Sequence, residues 1–200
     1  MFSGIVQQKC LVRNLLRSEG LLRFTVELGP LATDVRIGAS IAIGGVCLTV
    51  VEKTSETATF EVIQETLIKT TLGQLQEGDW VNVERSVRIG DEIGGHRVSG
   101  HVTGMATIHS IETPVNNQIV TLACDPAWIE YLLPKGFVAL DGCSLTIVDV
   151  GTDWFTVHLI PETLRITTFG QKTFGNRVNL ELDPETQAIV ATVKRYLSSK

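Results

Sequence analysis

The amino-acid sequence predicts an all-β protein. It reads as two tandem homologous sandwiches or small barrels with short helices, followed by a C-terminal α-helix. Three observations predict this. First, the chain repeats itself: Gly45-Val46-Cys47-Leu48-Thr49 returns as Gly142-Cys143-Ser144-Leu145-Thr146, and Glu65-Thr66-Leu67 returns as Glu162-Thr163-Leu164. Val81-Asn82 and Glu84 likewise return as Val178-Asn179 and Glu181, always 97 positions on (Thr49 to Thr146, for example). An unchanged offset over so many positions marks two copies of one domain. Second, each copy holds several short β-branched and aromatic runs at about 10-residue spacing, divided by Gly and Asp turns. Third, the periodicity turns helical only after Asp183.

Taken in order, residues 40–52 are rich in Ile and Val and are interrupted by Gly44-Gly45, which suggests a bend or bulge. Residues 57–62 and 154–159 are β-branched and aromatic, and residues 79–85 alternate polar with apolar, as do residues 176–183. Pro161-Glu162 suits the first turn of a short helix, with Gln64 in place of Pro in the first copy and Gly73 and Gly170 as expected stops. Residues 88–96 form the junction. The second copy opens with Ser99-Gly100-His101-Val102, which echoes Ser3-Gly4-Ile5-Val6 one residue out of step. Asp183-Pro184-Glu185 then caps and starts the last helix, whose Ile189, Val193 and Leu197 form an apolar stripe. That stripe either packs on a barrel or associates with the same helix of other subunits, and the second reading is favoured. The expected domains are residues 1–96, 97–183 and 184–200.

Composition excludes several classes of function. The 200 residues are 44% hydrophobic and 20% charged with a net charge of −5, an ordinary globular balance that argues against a nucleic-acid surface. No apolar run approaches the roughly 20 residues of a membrane span, and the N-terminus has no secretory pattern. Cys10, Cys47, Cys124 and Cys143 are widely spaced, with neither C-x-x-C nor a histidine ligand pattern. Reduced thiols in a cytoplasmic protein without a metal site are therefore expected.

The candidate chemistry sits where the copies agree in position and differ in type. Cys47 and Ser144 occupy matched positions, each followed two residues on by Thr49 or Thr146 on the same strand face. A cysteine in an apolar strand is ordinarily an inert small hydrophobe, but a repeated polar pair turned inward needs partners, and a polar ligand provides them. His101 stands where the first copy has Ile5, and Lys135 where it has Gly38. His96, like His101 taken alone, is most simply a solvent-exposed or satisfied core histidine, and His109 and His158 read as structural. Glu65-Thr66 and Glu162-Thr163 are caps, or contacts for a polyol or heterocyclic carbonyl. Asp183 is most simply an N-cap. The residues alone describe a duplicated β-barrel ligand binder, polar inside, with an oligomerising tail.

The ordered motifs Met1-Phe2-Ser3-Gly4-Ile5-Val6, Cys47-Leu48-Thr49-Val50, Gly78-Asp79-Trp80-Val81-Asn82-Val83-Glu84, Asp91-Glu92-Ile93-Gly94-Gly95-His96, Ser99-Gly100-His101 and Lys135-Gly136-Phe137 resemble the riboflavin synthase alpha-chain family from end to end. The resemblance implies six-stranded Greek-key barrels. It also implies a reaction without metal or cofactor, in which one 6,7-dimethyl-8-ribityllumazine passes a four-carbon unit to another, giving riboflavin and 5-amino-6-ribitylaminouracil. It implies a homotrimer held by C-terminal helices, with each site shared between subunits, and raises association with lumazine synthase.

By resemblance, a first pocket takes Gly4, Ile5 and Val6, Cys47 with Leu48 and Thr49, and Gly100 with His101 and Val102. Glu61, Val62, Ile63, Gln64, Glu65 and Thr66 complete it. A second pocket takes Lys135, Ser144, Leu145 and Thr146, with Leu159, Ile160, Pro161, Glu162, Thr163 and Leu164. Cys47, His101, Ser144 and Thr146 are the expected catalytic residues, supported by Phe2, Thr49 and Asp183; base and nucleophile are not distinguished. Gly44 stands where the family usually has Asn, which places the hydrogen bonding of the first pocket in question. A non-catalytic lumazine- or flavin-binding antenna protein is the alternative.

Overall fold

The computed structural model describes residues 1–199 and contains two closed six-stranded antiparallel barrels. The first comprises β1 (Gln8–Ser18), β2 (Leu21–Glu27), β3 (Ser40–Ile43), β4 (Val46–Lys53), β5 (Thr57–Ile63) and β6 (Trp80–Arg85). The second comprises β7 (Gly104–Glu112), β8 (Gln118–Ala123), β9 (Phe137–Leu140), β10 (Cys143–Val150), β11 (Trp154–Leu159) and β12 (Arg177–Leu182). Around the first barrel the order is β1-β2-β5-β4-β3-β6, and β7-β8-β11-β10-β9-β12 reproduces it around the second. This is the Greek-key closure that the repeat and the resemblance together imply.

Strand alternation sends Val46, Leu48 and Val50 of β4 inward, and Cys143, Leu145 and Ile147 of β10 likewise. Phe24 and Phe60 fill one barrel, and Ile108, Leu122 and Phe155 the other, all fully buried. A barrel of this size has room only for its own side chains. The expectation of a polar interior therefore fails. Cys47, Thr49, Ser144 and Thr146 lie on the outward-facing half of each alternation.

Two local expectations also change. Gly44-Gly45 is not a bulge within one strand but the two-residue turn joining β3 to β4. Both residues have positive φ, 55° and 79°, as Asp141 and Gly142 do at 45° and 82°, the pattern of tight hairpins. Gly73 and Gly170 do not stop the short helices α1 (Gln64–Lys69) and α2 (Pro161–Ile166); each lies in the 3-10 turn that follows. They are required by proximity, since a Cβ would come 2.2 Å from Leu67 O or 2.3 Å from Leu164 O.

The barrels clasp each other through matched asparagines. Asn82 Nδ2 donates to Asp141 O at 2.9 Å, and its Oδ1 accepts from Thr168 N at 2.8 Å. Asn179 returns the contact, donating to Gly44 O at 2.8 Å and accepting from Thr71 N at 2.7 Å. Helix α3 (Pro184–Ser198) follows the second barrel, capped by Asp183 as read, with Ile189, Val193 and Leu197 exposed.

Candidate active site

Each barrel carries one outward site, and a segment from the opposite copy completes it. Buried carboxylates at the ends of β6 and β12 direct the exchange. Glu84 accepts from Ser3 N (2.7 Å), Ser3 Oγ (2.8 Å) and Gly4 N (3.0 Å). Glu181 accepts from Ser99 N and Oγ (2.7 Å each) and Gly100 N (2.9 Å). So held, Gly4 O accepts from Ser144 N of the second barrel at 2.7 Å, and Gly100 O accepts from Cys47 N of the first at 2.9 Å. Val6 joins the core of the second barrel, and Val102 packs on that of the first.

This corrects one grouping. Gly4, Ile5 and Val6 belong with Ser144, not with Cys47. The N-terminal segment reaches past its own barrel because its backbone donors are anchored on Glu84.

The first pocket is a cavity of about 320 Å³ lined by Cys47, Glu65, Thr66, Lys69, Gly100, His101 and Val102. Glu65 pairs with Lys69 at 2.5 Å. Burial raises the other thiols, Cys10 to about 12, Cys124 to about 11 and Cys143 higher still, so all three stay protonated. Cys47 is the cysteine that lines this cavity. In the second copy Ser144 takes its place, and Glu162 holds Arg165 through two hydrogen bonds of 2.7 and 2.6 Å.

The remaining expected residues divide by strand parity. Thr49, Glu61, Ile63, Gln64, Thr146, Ile160 and Pro161 are exposed, while Thr66, Thr163 and Leu164 are half-buried. Leu48, Val62, Leu145 and Leu159 point into the barrel cores and offer a ligand only their backbone. Phe2 is 1% exposed in the apolar seam between barrels, so it braces Gly100 and Cys47 and has no exposed surface on which to meet a ligand. Asp183 Oδ2 accepts from Thr186 N and Oγ1, which makes it a helix cap. Lys135 is exposed in the turn before β9 with φ of 68°, where Gly38 has 86°. A lysine in the left-handed region costs about 1–2 kcal/mol.

Sequence reasoning missed three site groups. Glu84 and Glu181 were visible as a repeated pair, but their bonding to Ser3 and Ser99 was not. His96, absent from the expected site residues, lies with Nδ1 2.6 Å from Ser144 Oγ and its ring stacked on Phe137 at 5.1 Å. Its proximity to the second copy's out-of-step opening was the available signal.

Two like barrels, each with an outward polar position covered by a segment of the other copy, have the architecture of a tandem small-ligand-binding barrel protein. A family model for the lumazine binding domain matches residues 3–86 and 99–183. The riboflavin synthase of Escherichia coli (strain K12) is 46% identical over 202 residues, covering 100% of this chain and 95% of that one. Riboflavin synthase of Chlamydia trachomatis is 43% identical, covering 100% and 98%, and that of Bacillus subtilis (strain 168) 38%, covering 92% and 85%. Among solved structures, LumP complexed with riboflavin superposes with a TM-score of 0.84 at 25% identity, covering 92% of this chain and 100% of that one. The chain belongs to the riboflavin synthase family.

Proposed function

We propose that this chain is an enzyme, a riboflavin synthase, which joins two 6,7-dimethyl-8-ribityllumazine molecules and returns riboflavin and 5-amino-6-ribitylaminouracil. The observation that carries the reading is a pair of equivalent strand positions, each covered by a segment of the opposite copy, that differ in kind, a thiol at Cys47 and a hydroxyl at Ser144. A dismutation needs two similar sites for two identical molecules, and enough difference to make one the donor. Holding the rings in register replaces a bimolecular encounter with an oriented one, worth about 7–11 kcal/mol of barrier. One ring must lose a proton from its C7 methyl, and the other must accept a nucleophile. Cys47, His101, Ser144 and Thr146 are assigned to those steps, with Phe2, Thr49 and Asp183 acting through the elements they hold.

Residues 1–96 and 97–183 serve as the two lumazine-binding units and residues 184–200 as an oligomerisation helix. In this reading the exposed Ile189, Val193 and Leu197 of α3 are covered in a homotrimer, which brings the first barrel of one subunit to the second barrel of another. A cytoplasmic location and association with lumazine synthase, which would deliver the substrate, belong to the same reading. No helix among the described residues is long and apolar enough to cross a membrane.

The test is incubation of the purified chain with 6,7-dimethyl-8-ribityllumazine alone while riboflavin absorbance is followed. Turnover is expected. Tight binding without turnover would turn the reading toward a binding-only protein of the LumP kind. Truncation after Pro184 is expected to give monomers with little activity; an active monomer would sink the shared site.

A further inference from the structure

The junction between the copies brings His96 onto the Ser144 hydroxyl, and its surroundings decide where the imidazole proton sits. His96 is 7% exposed. Its Nδ1 lies 2.6 Å from Ser144 Oγ, whereas its Nε2 is buried with no hydrogen-bond partner among the described residues. The ring lies nearly parallel to Phe137, with an interplanar angle of 12°. Gly95 presses its backbone against the same serine, so that a Cβ there would come 2.6 Å from Ser144 Cβ. The nearby carboxylates do not serve Nε2, because Glu181 accepts from Ser99 and Gly100, and Asp183 from Thr186.

A neutral imidazole has one proton and two places for it. On Nε2 it would make a buried N–H with nothing to accept it, an arrangement folded proteins rarely keep. On Nδ1 it is donated to Ser144 Oγ, and Nε2 keeps only an unused lone pair. Burial favours the neutral ring and holds the pKa of His96 below its ordinary value, against the opposing pull of Asp183 and Glu181.

We infer that His96 is a positioning residue: it donates from Nδ1 to Ser144 Oγ and so turns the serine's own O–H outward, as a donor to a carbonyl oxygen or ring nitrogen of the ligand. The inference rests on the lumazine reading of the second pocket. It makes Ser144 a fixed hydrogen-bond donor, which serves the steps assigned to it by polarising the ring and not as the nucleophile itself, since no base takes its proton. Among the described residues no histidine is hydrogen-bonded to Cys47, which holds the matching place in the first copy.

Two measurements on the full chain test this. The first is ¹⁵N NMR of histidine-labelled protein near neutral pH, with the His96 signals assigned by their loss in His96→Asn. A protonated Nδ1 and an unprotonated Nε2 are expected; the reverse tautomer, or an imidazolium, overturns the inference. The second is kinetic. His96→Phe keeps the stacking on Phe137 but loses the donor, and is expected to lower kcat/KM about tenfold. His96→Asn restores an N–H at the Nδ1 position and is expected to recover most of that loss. If Asn falls as far as Phe, His96 acts as a base through Ser144 and the positioning role is wrong. Should the wild-type chain bind the lumazine without turnover, the proposed function fails separately. The tautomer, and weaker lumazine binding by His96→Phe, then decide the inference alone.

Discussion

The two pockets are copies by position and opposites by chemistry. In the first, Cys47 projects from β4 beside the exposed His101, and its sulfur has no hydrogen bond to another side chain among the described residues. In the second, the matching Ser144 is bonded to His96 and pressed by Gly95. The difference does not come from the strands, which share order, register and alternation. It comes from the segments laid over them. Because residues 2–6 and 98–102 exchange barrels, each copy writes the lid of the other's pocket. Duplication thus gives two equal platforms, and the connector, which lays His96 on Ser144, makes them unequal.

The strongest way to break this comparison is to cut the anchors. Glu84→Ala leaves three donors of Ser3 and Gly4 without an acceptor, and Glu181→Ala does the same to Ser99 and Gly100. Each should cost about 2–4 kcal/mol in denaturant unfolding. The damage should cross over: Glu181→Ala frees the segment over Cys47 and speeds its alkylation, whereas Glu84→Ala disturbs Ser144 and leaves Cys47 labelling as it was. Labelling that rises in Glu84→Ala alone would mean that the segments do not exchange. Glu84 adds a pH signature. Burial pushes its carboxyl above the ordinary 4.5, against the Ser3 and Gly4 donors that pull it down. The folded state therefore binds this proton more tightly than the unfolded chain. Its contribution is full below pH 4.5 and is lost as pH rises through the elevated native value. Measured against Glu84→Gln, wild type should lose relative stability over that rise; a relative gain would contradict the burial argument.

What the sequence makes legible follows from how each signal is encoded. The barrels, their equivalence and the cap at Asp183 are written in local period and in a constant offset, so they are readable residue by residue. The outward direction of Cys47 and Ser144 was equally available, because Leu48 and Leu145 between them are apolar. The inward reading erred by giving a barrel of this size a polar lumen. The exchange of residues 2–6 is of another kind. It depends on hydrogen bonds between Ser3 and Glu84, 81 residues apart, and no periodicity records such a pairing. His96 was hidden for the same reason, since its partner Ser144 is 48 residues away.

A smaller effect sharpens the contrast between thiol and hydroxyl. Cys47→Ser gives the first pocket the side chain of the second without the histidine that holds it. Turnover is expected to fall at least about tenfold while lumazine affinity changes less than threefold. Equal rates would remove the sulfur from the mechanism and leave His101 as the feature that distinguishes the first pocket.

The smallest expected effect concerns Gly44, where the resemblance leads one to expect an asparagine that tunes the first pocket. The structure puts it elsewhere. Gly44 lies in the β3–β4 turn at the seam, its carbonyl accepting from Asn179, and it does not line the cavity beside Cys47. Its counterpart Asp141 accepts from Asn179 N at 2.7 Å and pairs with Lys172 at 2.9 Å, a brace the first barrel lacks. Asparagine tolerates the φ of 55° better than other side chains do, though its Cβ would approach Asn179 Nδ2 to 3.3 Å. Gly44→Asn removes freedom from the unfolded chain and adds a polar group to the seam, so a change within about 1 kcal/mol is expected, with turnover unaltered. Thermal unfolding and the riboflavin assay, run on the same preparation, read the two quantities separately. A several-fold change in turnover at unchanged stability would show that the seam communicates with the first pocket, and would overturn the placement of Gly44 outside it.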